Sequence, residues 1–497
     1  MFYQSTRGSG RRLTGAEAIA QGLSVDGGLF VPEGFPVLSG DDIMRLVPMQ
    51  YNERAAFVIG LFLDDFSADE LGAFASEAYC QPGFDGPAAA PLRRLDADTH
   101  FLELWHGPTC AFKDMALQML PRLLAASLRK TNESREVCIL VATSGDTGKA
   151  ALEGFRDVPG TRIIVFYPGD GVSDVQKLQM VSQAGRNVNV VAVDGNFDDT
   201  QTGVKAIFSD EGLRGELDGR GFFLSSANSI NWGRLVPQIA YYVSAYCDLI
   251  AGGEIGLGDR VNFCVPTGNF GNILAAYYAE RMNLPINRLI CASNRNDVLT
   301  QFIGTGVYDK NRPFYTTVSP SMDILVSSNL ERLLFEASGK DGDAVARYMS
   351  SLSRDGSYEV PAGIRDEVGR VFAGGVCGEA ETLETIAAVF GEFGYLIDTH
   401  TAVGYNVLRG YRAASGDSTP CVVVSTASPF KFCDSVVKAL GRGDVSGGGV
   451  ELIELLAEVS GCVVPAPLAG LRGATPRFNE IVAPQGMSDV VRGFLIG

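Results

Sequence analysis

The sequence predicts an α/β protein in which the strands form parallel sheets. From about residue 96 onward, short runs rich in valine and isoleucine alternate with amphipathic or apolar helical segments. Such alternation is typical of parallel sheets that helices cover on both faces. The expected strands lie at 137–142, 162–167, 188–193, 222–225, 261–265, 287–292 and 420–425.

The first 95 residues lack this alternation and predict a separate, small unit. A short strand precedes several helices, and the proline- and glycine-rich stretch 82–87 is typical of a linker. We therefore expect an N-terminal α+β cap domain over residues 1–95. Its expected helices lie at 14–22, 41–48, 52–63 and 68–79. Much later, helical segments with no evident strand crowd 325–395, which predicts a helical layer or an insertion.

Composition restricts the partners and the location. The 497-residue chain carries a net charge of −17, and such a field repels nucleic acid and anionic membrane, so we expect neither as a partner. The cysteines include no C-x-x-C pair and the histidines are not spaced for a metal, which favours reduced thiols and no metal site. No signal peptide or membrane-spanning apolar run is evident. We expect a cytoplasmic monomer or homodimer.

The stretch 105–114 contains the first candidate for chemistry, Lys113. A short apolar strand runs into a Gly-Pro turn, and Lys113 follows where an amphipathic helix begins, with Asp114 as the expected N-cap. The positive end of the helix dipole and the apolar neighbours Ala111 and Phe112 both disfavour the ammonium form. A neutral, nucleophilic amine is what a Schiff-base lysine needs. A surface lysine in a first helical turn is the alternative.

A second candidate loop, 142–149, leaves an apolar strand and enters a helix. Its small residues allow close backbone approach to a ligand, and the helix N-terminus offers free N–H groups to an anion. The loop is not a P-loop, because Ala150 follows Lys149 where serine or threonine is required. An ordinary tight turn between strand and helix is the alternative interpretation.

The loop 266–272 also joins a strand to a helix, and a similar triplet at 195–197 follows an earlier strand. The charges around the two loops differ. The later loop is neutral, whereas the earlier one carries three carboxylates between 194 and 199 that would repel a phosphate. We therefore expect a phosphate cradle at 268–272 and an ordinary turn at 195–197.

Two further loops carry polar side chains. The stretch 225–234 combines serines and asparagines with Arg234 before a helix, which is typical of an oxyanion clamp or, alternatively, of a polar capping loop. The stretch 425–432 follows an apolar strand and places Thr426 at its carboxyl end, where parallel α/β sheets bind ligands.

Taken in order, these loops resemble the motifs of the threonine synthase family, which are fold type II pyridoxal-phosphate enzymes. The motifs are His-Gly-Pro-Thr-x-Ala-Phe-Lys-Asp, Ala-Thr-Ser-Gly-Asp-Thr-Gly, Ser-Ala-Asn-Ser-Ile-Asn, Gly-Asn-Phe-Gly and Thr-Ala-x-Pro-x-Lys-Phe. The segments 21–32 and 319–324 match the same family, so the resemblance covers roughly residues 1–460. Each motif alone is weak, whereas the ordered set is highly specific.

The resemblance implies the two parallel-sheet α/β lobes of fold type II enzymes behind the cap domain. The catalytic region would span 96–462, with the smaller lobe at roughly 130–230 and the larger lobe in the remainder, and a C-terminal extension would span 463–497. It also implies pyridoxal 5′-phosphate as cofactor. The implied reaction converts O-phospho-L-homoserine and water to L-threonine and phosphate by γ-elimination and β-addition.

Residue roles follow from the same resemblance. Lys113 would form the Schiff base and shuttle protons, Thr426 would hydrogen-bond the pyridine nitrogen, and Asp146 would flank the cofactor ring. The backbone N–H groups that wrap the cofactor phosphate would be those of Gly268, Asn269, Phe270, Gly271 and Asn272. The residues that hold the substrate would be Ser144, Gly145 and Thr147 at its carboxylate and Asn228, Ser229 and Arg234 at its phosphate.

Four positions depart from the family pattern or stay open. Lys149 stands where a small residue is usual, and we expect a solvated first-turn lysine rather than a phosphate ligand. Ser428 replaces a common histidine, which puts a ring contact there in doubt. Cys110 is expected to pack rather than to act as a nucleophile. His106 either touches the cofactor or caps the turn.

Two rival functions remain. The first is a sister enzyme of the same fold, either a serine/threonine dehydratase or an amino-phospholyase. The second is a non-catalytic phosphate- or nucleotide-binding α/β protein that retains the loops. Such a protein would bind no yellow chromophore.

Overall fold

The computed structural model describes residues 1–86, 88–143, 145–169, 172–442 and 448–497. The strands in this part of the chain form a six-stranded sheet, a five-stranded sheet and two small two-stranded sheets. No helix among the described residues is long and apolar enough to cross a bilayer.

The N-terminal unit contains the helices that the sequence predicts. Its elements are β1 (Tyr3–Ser5), α1 (Gly15–Gln21), β2 (Phe30–Pro32), α2 (Gly40–Leu46), α3 (Tyr51–Phe62) and α4 (Ala68–Tyr79). Thr14, Ser39 and Ser67 each cap a helix with a reciprocal bond from the acidic residue three positions later, which fixes where α1, α2 and α4 begin. The strands β1 and β2 pair antiparallel.

Strands and helices then alternate, as the apolar periodicity predicts. The next elements are β3 (Leu92–Arg94), β4 (Thr99–Glu103), α5 (Lys113–Leu117), α6 (Leu120–Lys130), β5 (Glu136–Ala142), α7 (Asp146–Phe155), β6 (Thr161–Pro168), α8 (Asp174–Val181), β7 (Val188–Val193), α9 (Phe197–Ser209), α10 (Glu211–Gly219), β8 (Phe222–Ser225), α11 (Trp232–Ala251), β9 (Val261–Pro266), α12 (Gly271–Arg281) and β10 (Ile286–Ser293). All of the strands expected in this part of the chain are confirmed to within one residue at each end.

The remaining elements complete both large sheets. They are α13 (Val298–Thr305), β11 (Val307–Asp309), α14 (Leu330–Ala337), α15 (Gly342–Arg354), β12 (Ser357–Glu359), α16 (Ala362–Val371), β13 (Phe372–Val376), α17 (Glu379–Phe393), α18 (Thr399–Ser415), β14 (Cys421–Ser425), α19 (Cys433–Ala439), α20 (Gly449–Ser460), α21 (Ala466–Ala469), β15 (Ile481–Val482) and α22 (Met487–Ile496). The last expected strand, at 420–425, is confirmed as β14.

The two large sheets define two lobes. The larger sheet has the order β13-β10-β9-β14-β4-β3 and is parallel except where β3 pairs with β4. The smaller sheet has the order β15-β7-β6-β5-β8 and is entirely parallel. Helix α11 is buried along nearly its whole length and packs on α3, α5 and α12, so it joins the N-terminal unit to the larger lobe. The domain boundaries expected from the sequence remain predictions.

The expectation of a strand-free helical stretch over 325–395 is wrong. The stretch contains β12, which pairs with β11, and β13, which forms an edge of the larger sheet. The sequence of β13 is Phe-Ala-Gly-Gly-Val, a poor strand signal. Close packing requires glycine at both positions. A Cβ on Gly374 would lie 3.0 Å from the Cα of Thr300, and one on Gly375 would lie 2.5 Å from Val407 Cγ1.

The contact between α5 and α7 depends on a single glycine. A Cβ on Gly154 of α7 would overlap the backbone carbonyl oxygen of Leu117 in α5. We expect Gly154→Ala to destabilise the protein by about 2 kcal/mol, because neither backbone can give way without shifting α5. Gly215 in α10 has open space around its Cβ position, so Gly215→Ala should stabilise by up to ~1 kcal/mol. Urea unfolding of both variants checks the pair, and equal effects would contradict the packing argument.

Candidate active site

The loop 105–114 meets the loop 425–432 through backbone contacts that place Lys113. Ala111 and Ala427 form an isolated antiparallel bridge, and the Phe112 N–H donates to the carbonyl oxygen of Thr426 over 2.8 Å. Lys113 is then the first residue of α5 and is 9% exposed. The predicted position of Lys113 at a helix N-terminus is confirmed.

Asp114 is not the N-cap that the sequence predicts. Phe112 occupies that position, and Asp114 lies inside the first turn. Its carboxylate instead accepts from the Thr109 N–H at 2.8 Å and from the Thr109 hydroxyl at 2.7 Å. A Cβ on Gly107 would lie 2.6 Å from the same carboxylate, so the glycine makes room for it. Asp114 therefore fixes the turn before Lys113 rather than capping the helix.

Asp114 gives the folded protein a testable pH dependence. Burial raises the pKa of its carboxyl to about 6, above its ordinary value of 3.8. Because the folded state holds this proton more tightly than the unfolded chain, the stability that it contributes is present at acid pH and is lost as the pH rises through about 6. We expect Asp114→Asn to remove this loss, so its stability relative to wild type should rise by about 1 kcal/mol between roughly pH 5 and pH 7.5. Urea unfolding at both pH values checks this, and a constant or opposite difference would contradict it.

The Lys113 ammonium faces two oxygen atoms. Its Nζ lies 3.4 Å from Asp146 Oδ2 and 3.2 Å from the hydroxyl of Ser321, which belongs to the short 3₁₀ turn Pro320–Met322. Burial lowers the pKa of Lys113; Asp146 opposes this shift, while Lys431 and Arg234 add to it. The site thus favours a neutral amine more than an exposed lysine would.

Asp146 is the charged centre of the site. Burial alone would raise the pKa of its carboxyl, but the ammonium groups of Lys431 and Lys113 hold that pKa well below its usual range. Gln176 Nε2 donates to Oδ1 at 2.8 Å. Sequence reasoning missed Gln176, Ser321 and Lys431, although the last two lie inside stretches already identified as family motifs.

The loop 268–272 has the form of an anion cradle. Phe270 adopts a left-handed φ of 62° and α12 begins at Gly271, so successive backbone N–H groups point out of the helix N-terminus. Among the described residues, none accepts a hydrogen bond from the five N–H groups of 268–272. A Cβ on Gly268 would lie 2.6 Å from the Ser321 carbonyl oxygen, so this loop and Lys113 both lie close to Ser321.

Buried side chains hold this cradle from behind. The Asn272 side-chain oxygen accepts from the hydroxyls of Tyr241 and Tyr242 in α11, at 2.5 and 2.6 Å. Its Nδ2 is buried and meets no acceptor in the described part of the chain. These groups fit a cofactor that carries a phosphate and an aldehyde. The free N–H groups of 268–272 and Asn272 Nδ2 could donate hydrogen bonds to the phosphate, and the amine of the buried Lys113 could react with the aldehyde.

The stretch 225–234 contributes a second cation. Arg234 lies in the first turn of α11, is 4% exposed, and donates through Nη1 to the Ala227 carbonyl oxygen. Its buried Nε–H meets no acceptor among the described residues. Ser229 accepts a 3.0 Å bond from Asn329 Nδ2, whereas Asn228 is exposed. Asn329 also donates to the Asn269 carbonyl oxygen, which links this stretch to the cradle.

Arg332 organises the same region and was missed from sequence. It is fully buried, and its guanidinium donates to the carbonyl oxygen of Phe30 at 3.0 Å, to that of Ile230 at 2.6 Å and to the side-chain oxygen of Asn329. It thereby ties the N-terminal unit to the 225–234 stretch and, through Asn329, to the 268–272 loop. An arginine inside a helical segment gives no sequence signal for this role.

A buried Asp-His pair supports the Ser321 turn. His400 Nδ1 lies 2.7 Å from Asp398 Oδ2, and His400 Nε2 accepts the Ser321 backbone N–H at 3.1 Å. The imidazole must therefore be neutral, with its proton on Nδ1. This pair fixes the hydroxyl that Lys113 contacts, and sequence reasoning missed it.

The other predicted residues fall in several places. Ser144 lies outside the described residues. Gly145 has a φ of 138° and flanks Asp146 together with the half-buried Thr147. Asn196 caps α9 in a reciprocal bond with Asp199, so the 195–197 triplet forms an ordinary helix-capping turn.

Lys149 is not the solvated lysine that the sequence predicts. Its side chain is only 12% exposed, forms a 3.2 Å ion pair with Glu153 and contacts Gln183. Burial is possible because this partner lies one turn further along the same helix.

Three further open positions have defined contacts. Both ring nitrogens of His106 lie 2.8 Å from carboxylates, those of Asp85 and Glu103, so the side chain ties the linker to the 105–114 loop. Cys110 is buried, and burial raises the pKa of its thiol. Ser428 caps the 3₁₀ turn Pro429–Lys431 through its hydroxyl.

Comparisons with known proteins agree with this geometry. The family model "Pyridoxal-phosphate dependent enzyme" matches residues 87–427, "Threonine synthase N terminus" matches 2–79 and "Threonine synthase, C-terminal" matches 401–489. The fold and the site thus define a fold type II pyridoxal-phosphate-dependent enzyme, with pyridoxal phosphate as its cofactor.

Similar sequences and solved structures identify the family within this class of enzymes. Threonine synthase of Pseudomonas aeruginosa is 41% identical over 472 residues, which is 94% of this chain and 97% of that protein. The crystal structure of PLP-bound threonine synthase from Brucella melitensis matches with a TM-score of 0.88 and 37% identity over 100% of both chains. The chain belongs to the threonine synthase family. Human threonine synthase-like 1 is 42% identical over 86% of this chain, but the chain spans only 58% of that protein.

Proposed function

We propose that the protein converts O-phospho-L-homoserine and water to L-threonine and inorganic phosphate. The observation that carries this proposal is a buried lysine together with two separate groups of free N–H donors. One group is the backbone of 268–272, and the other is the guanidinium of Arg234, whose buried Nε–H meets no acceptor among the described residues. One cofactor phosphate and one substrate phosphate would account for both groups.

Pyridoxal phosphate, when bound, would supply an electron-withdrawing ring that acidifies the substrate at Cα and, once Cα has lost its proton, at Cβ. The chain's residues provide the rest. Lys113 would hold the cofactor aldehyde and would be positioned to accept and return protons, since its Nζ lies beside Asp146 Oδ2 and the Ser321 hydroxyl. Gly145 and Thr147, with Ser144, would hold the substrate carboxylate.

The substrate phosphate would bind to Arg234, Ser229 and Asn228. Arg234 has a buried N–H with no acceptor among the described residues, and Asn329 hydrogen-bonds both Ser229 and the Asn269 carbonyl oxygen of the cradle. In the net reaction a C–H bond at Cβ and the C–O bond at Cγ break, and phosphate leaves. Cγ gains a proton in place of the phosphate, and water gives its hydroxyl to Cβ and its remaining proton to the released phosphate. A clamp that keeps the leaving phosphate in place would stabilise the charge that develops on it.

A product assay tests the proposed reaction. Purified protein saturated with pyridoxal phosphate should release phosphate from O-phospho-L-homoserine and form an equal amount of L-threonine. Formation of 2-oxobutanoate from L-threonine at a higher kcat/KM would instead identify a dehydratase. Phosphate release without threonine would identify an amino-phospholyase.

The location and assembly state are also proposals. All ten cysteines are free thiols in the structure, which supports a reducing compartment such as the cytoplasm. We propose a cytoplasmic monomer or homodimer that binds neither nucleic acid nor membrane. Sedimentation of the purified protein measures the assembly state.

A further inference from the structure

Lys431 is a fully buried lysine beside the catalytic lysine. Its side chain is 0% exposed, and its Nζ lies 2.9 Å from Asp146 Oδ1 and 2.8 Å from the Thr109 carbonyl oxygen. A buried ammonium is tolerated only where a carboxylate and hydrogen-bond acceptors replace water. Asp146 and Thr109 supply both, so Lys431 has a defined charge partner.

The two oxygens of Asp146 face different partners. Oδ1 is held by Lys431 and by Gln176, at 2.9 and 2.8 Å. Oδ2 faces Lys113 at 3.4 Å and the Ser321 hydroxyl at 3.3 Å. Shorter contacts to a less exposed cation make Lys431 the stronger ion-pair partner, while the side toward Lys113 is looser.

Two ammonium groups therefore share one carboxylate. Lys113 must be uncharged to attack the cofactor aldehyde or to act as a base, but Lys431 has no such chemistry. We propose that Lys431 is a positioning residue that keeps Asp146 ionised, with Oδ2 aimed at the Lys113 nitrogen, whenever Lys113 is uncharged. Its charge also disfavours the ammonium form of Lys113. This inference rests on the proposed function only in taking Lys113 as the lysine that binds the cofactor.

Other charged groups in the described part of the chain also act on these three residues. Arg234 acts on Lys113 along with Asp146 and Lys431. Lys431 in turn acts on Asp114 and Lys149. Lys149 has its own partner, Glu153, which also pairs with Arg156 at 2.8 Å. Lys149→Met therefore removes an equal buried charge nearby without freeing Asp146, and serves as the matched control.

The test measures the protonation of Lys113 directly in the cofactor-free protein. Lys113 is acetylated with acetic anhydride across a pH series, and mass spectrometry of its peptide gives the titration midpoint. Lys431→Gln should raise this midpoint by about one pH unit, because Asp146 then pairs with Lys113 alone. Asp146→Asn should lower it, because Lys113 is left beside Lys431 and Arg234. Lys149→Met should leave it near the wild-type value.

The proposed role predicts that the Lys113 midpoint shifts in opposite directions in Lys431→Gln and Asp146→Asn. A merely structural role predicts no shift, or shifts in the same direction in both variants. A Lys431→Gln midpoint equal to or below wild type overturns the proposal, and Lys431→Met provides a second uncharged variant if the first does not fold. If neither folds, an unchanged midpoint in Asp146→Asn overturns it. Failure of the proposed function is seen separately, as wild-type protein that forms no threonine whatever the midpoints show.

Discussion

Lys113→Ala is expected to abolish both the visible absorbance of the bound cofactor and the formation of threonine. The colour requires a carbon–nitrogen bond between the cofactor aldehyde and an amine. Lys113 is the buried lysine that contacts Ser321, whose carbonyl oxygen in turn lies against Gly268 of the cradle. Loss of the same nitrogen removes the proton carrier, so kcat should fall at least ~10³-fold. An absorption spectrum and a phosphate-release assay measure the two effects.

Lys149→Ala is the matched control for this variant. Lys149 is also largely buried near Asp114 but pairs with Glu153, so its removal should leave the colour in place. Borohydride treatment of wild-type protein should fix the cofactor to the peptide that contains Lys113. Retained colour in Lys113→Ala, or an adduct on another lysine, would disprove the assignment.

The fold could be predicted because its strands are buried in parallel sheets. Strands such as β5 and β6 are continuous Val/Ile-rich runs, and the apolar pattern alone sets their bounds. The edge strand β13 was missed because close packing against Thr300 and Val407 requires the glycines that weaken its strand signal. Asp114 was misassigned since its partner, Thr109, lies in a turn whose shape local sequence does not specify.

The part of the candidate site that is formed by loops at the ends of strands could be predicted from the sequence. The loops after β4, β9 and β14 meet because these strands are neighbours in the larger sheet, so Lys113, the cradle and Thr426 converge. Residues that act across long sequence distances were not predictable. Ser321 reaches Lys113 over 208 positions and Arg332 reaches Phe30 over 302, and no local pattern indicates either contact.

Arg234→Met is expected to weaken binding of the substrate phosphate without weakening the fold. Burial lowers the pKa of the Arg234 guanidinium to about 10, so it stays charged at neutral pH, yet it has no carboxylate partner among the described residues. A buried cation in this state costs stability until an anion binds. Loss of its charge-assisted hydrogen bonds should raise KM for O-phospho-L-homoserine by about 100-fold, the equivalent of about 3 kcal/mol.

The variant Arg332→Met is the control, because it shows what happens when a buried arginine with only a structural role is lost. Burial lowers the pKa of Arg332 to about 10 as well, but all three of its hydrogen-bonding nitrogens have protein acceptors. Arg332→Met should therefore reduce the free energy of unfolding by ~3 kcal/mol, because it leaves those acceptors unpaired, whereas Arg234→Met should not reduce it. In protein saturated with pyridoxal phosphate, whose own phosphate would occupy the 268–272 cradle, inorganic phosphate should raise the Tm of wild type but not that of Arg234→Met. If phosphate protects both proteins equally, or if Arg234→Met is the less stable of the two variants, Arg234 is a structural arginine and the substrate phosphate binds elsewhere.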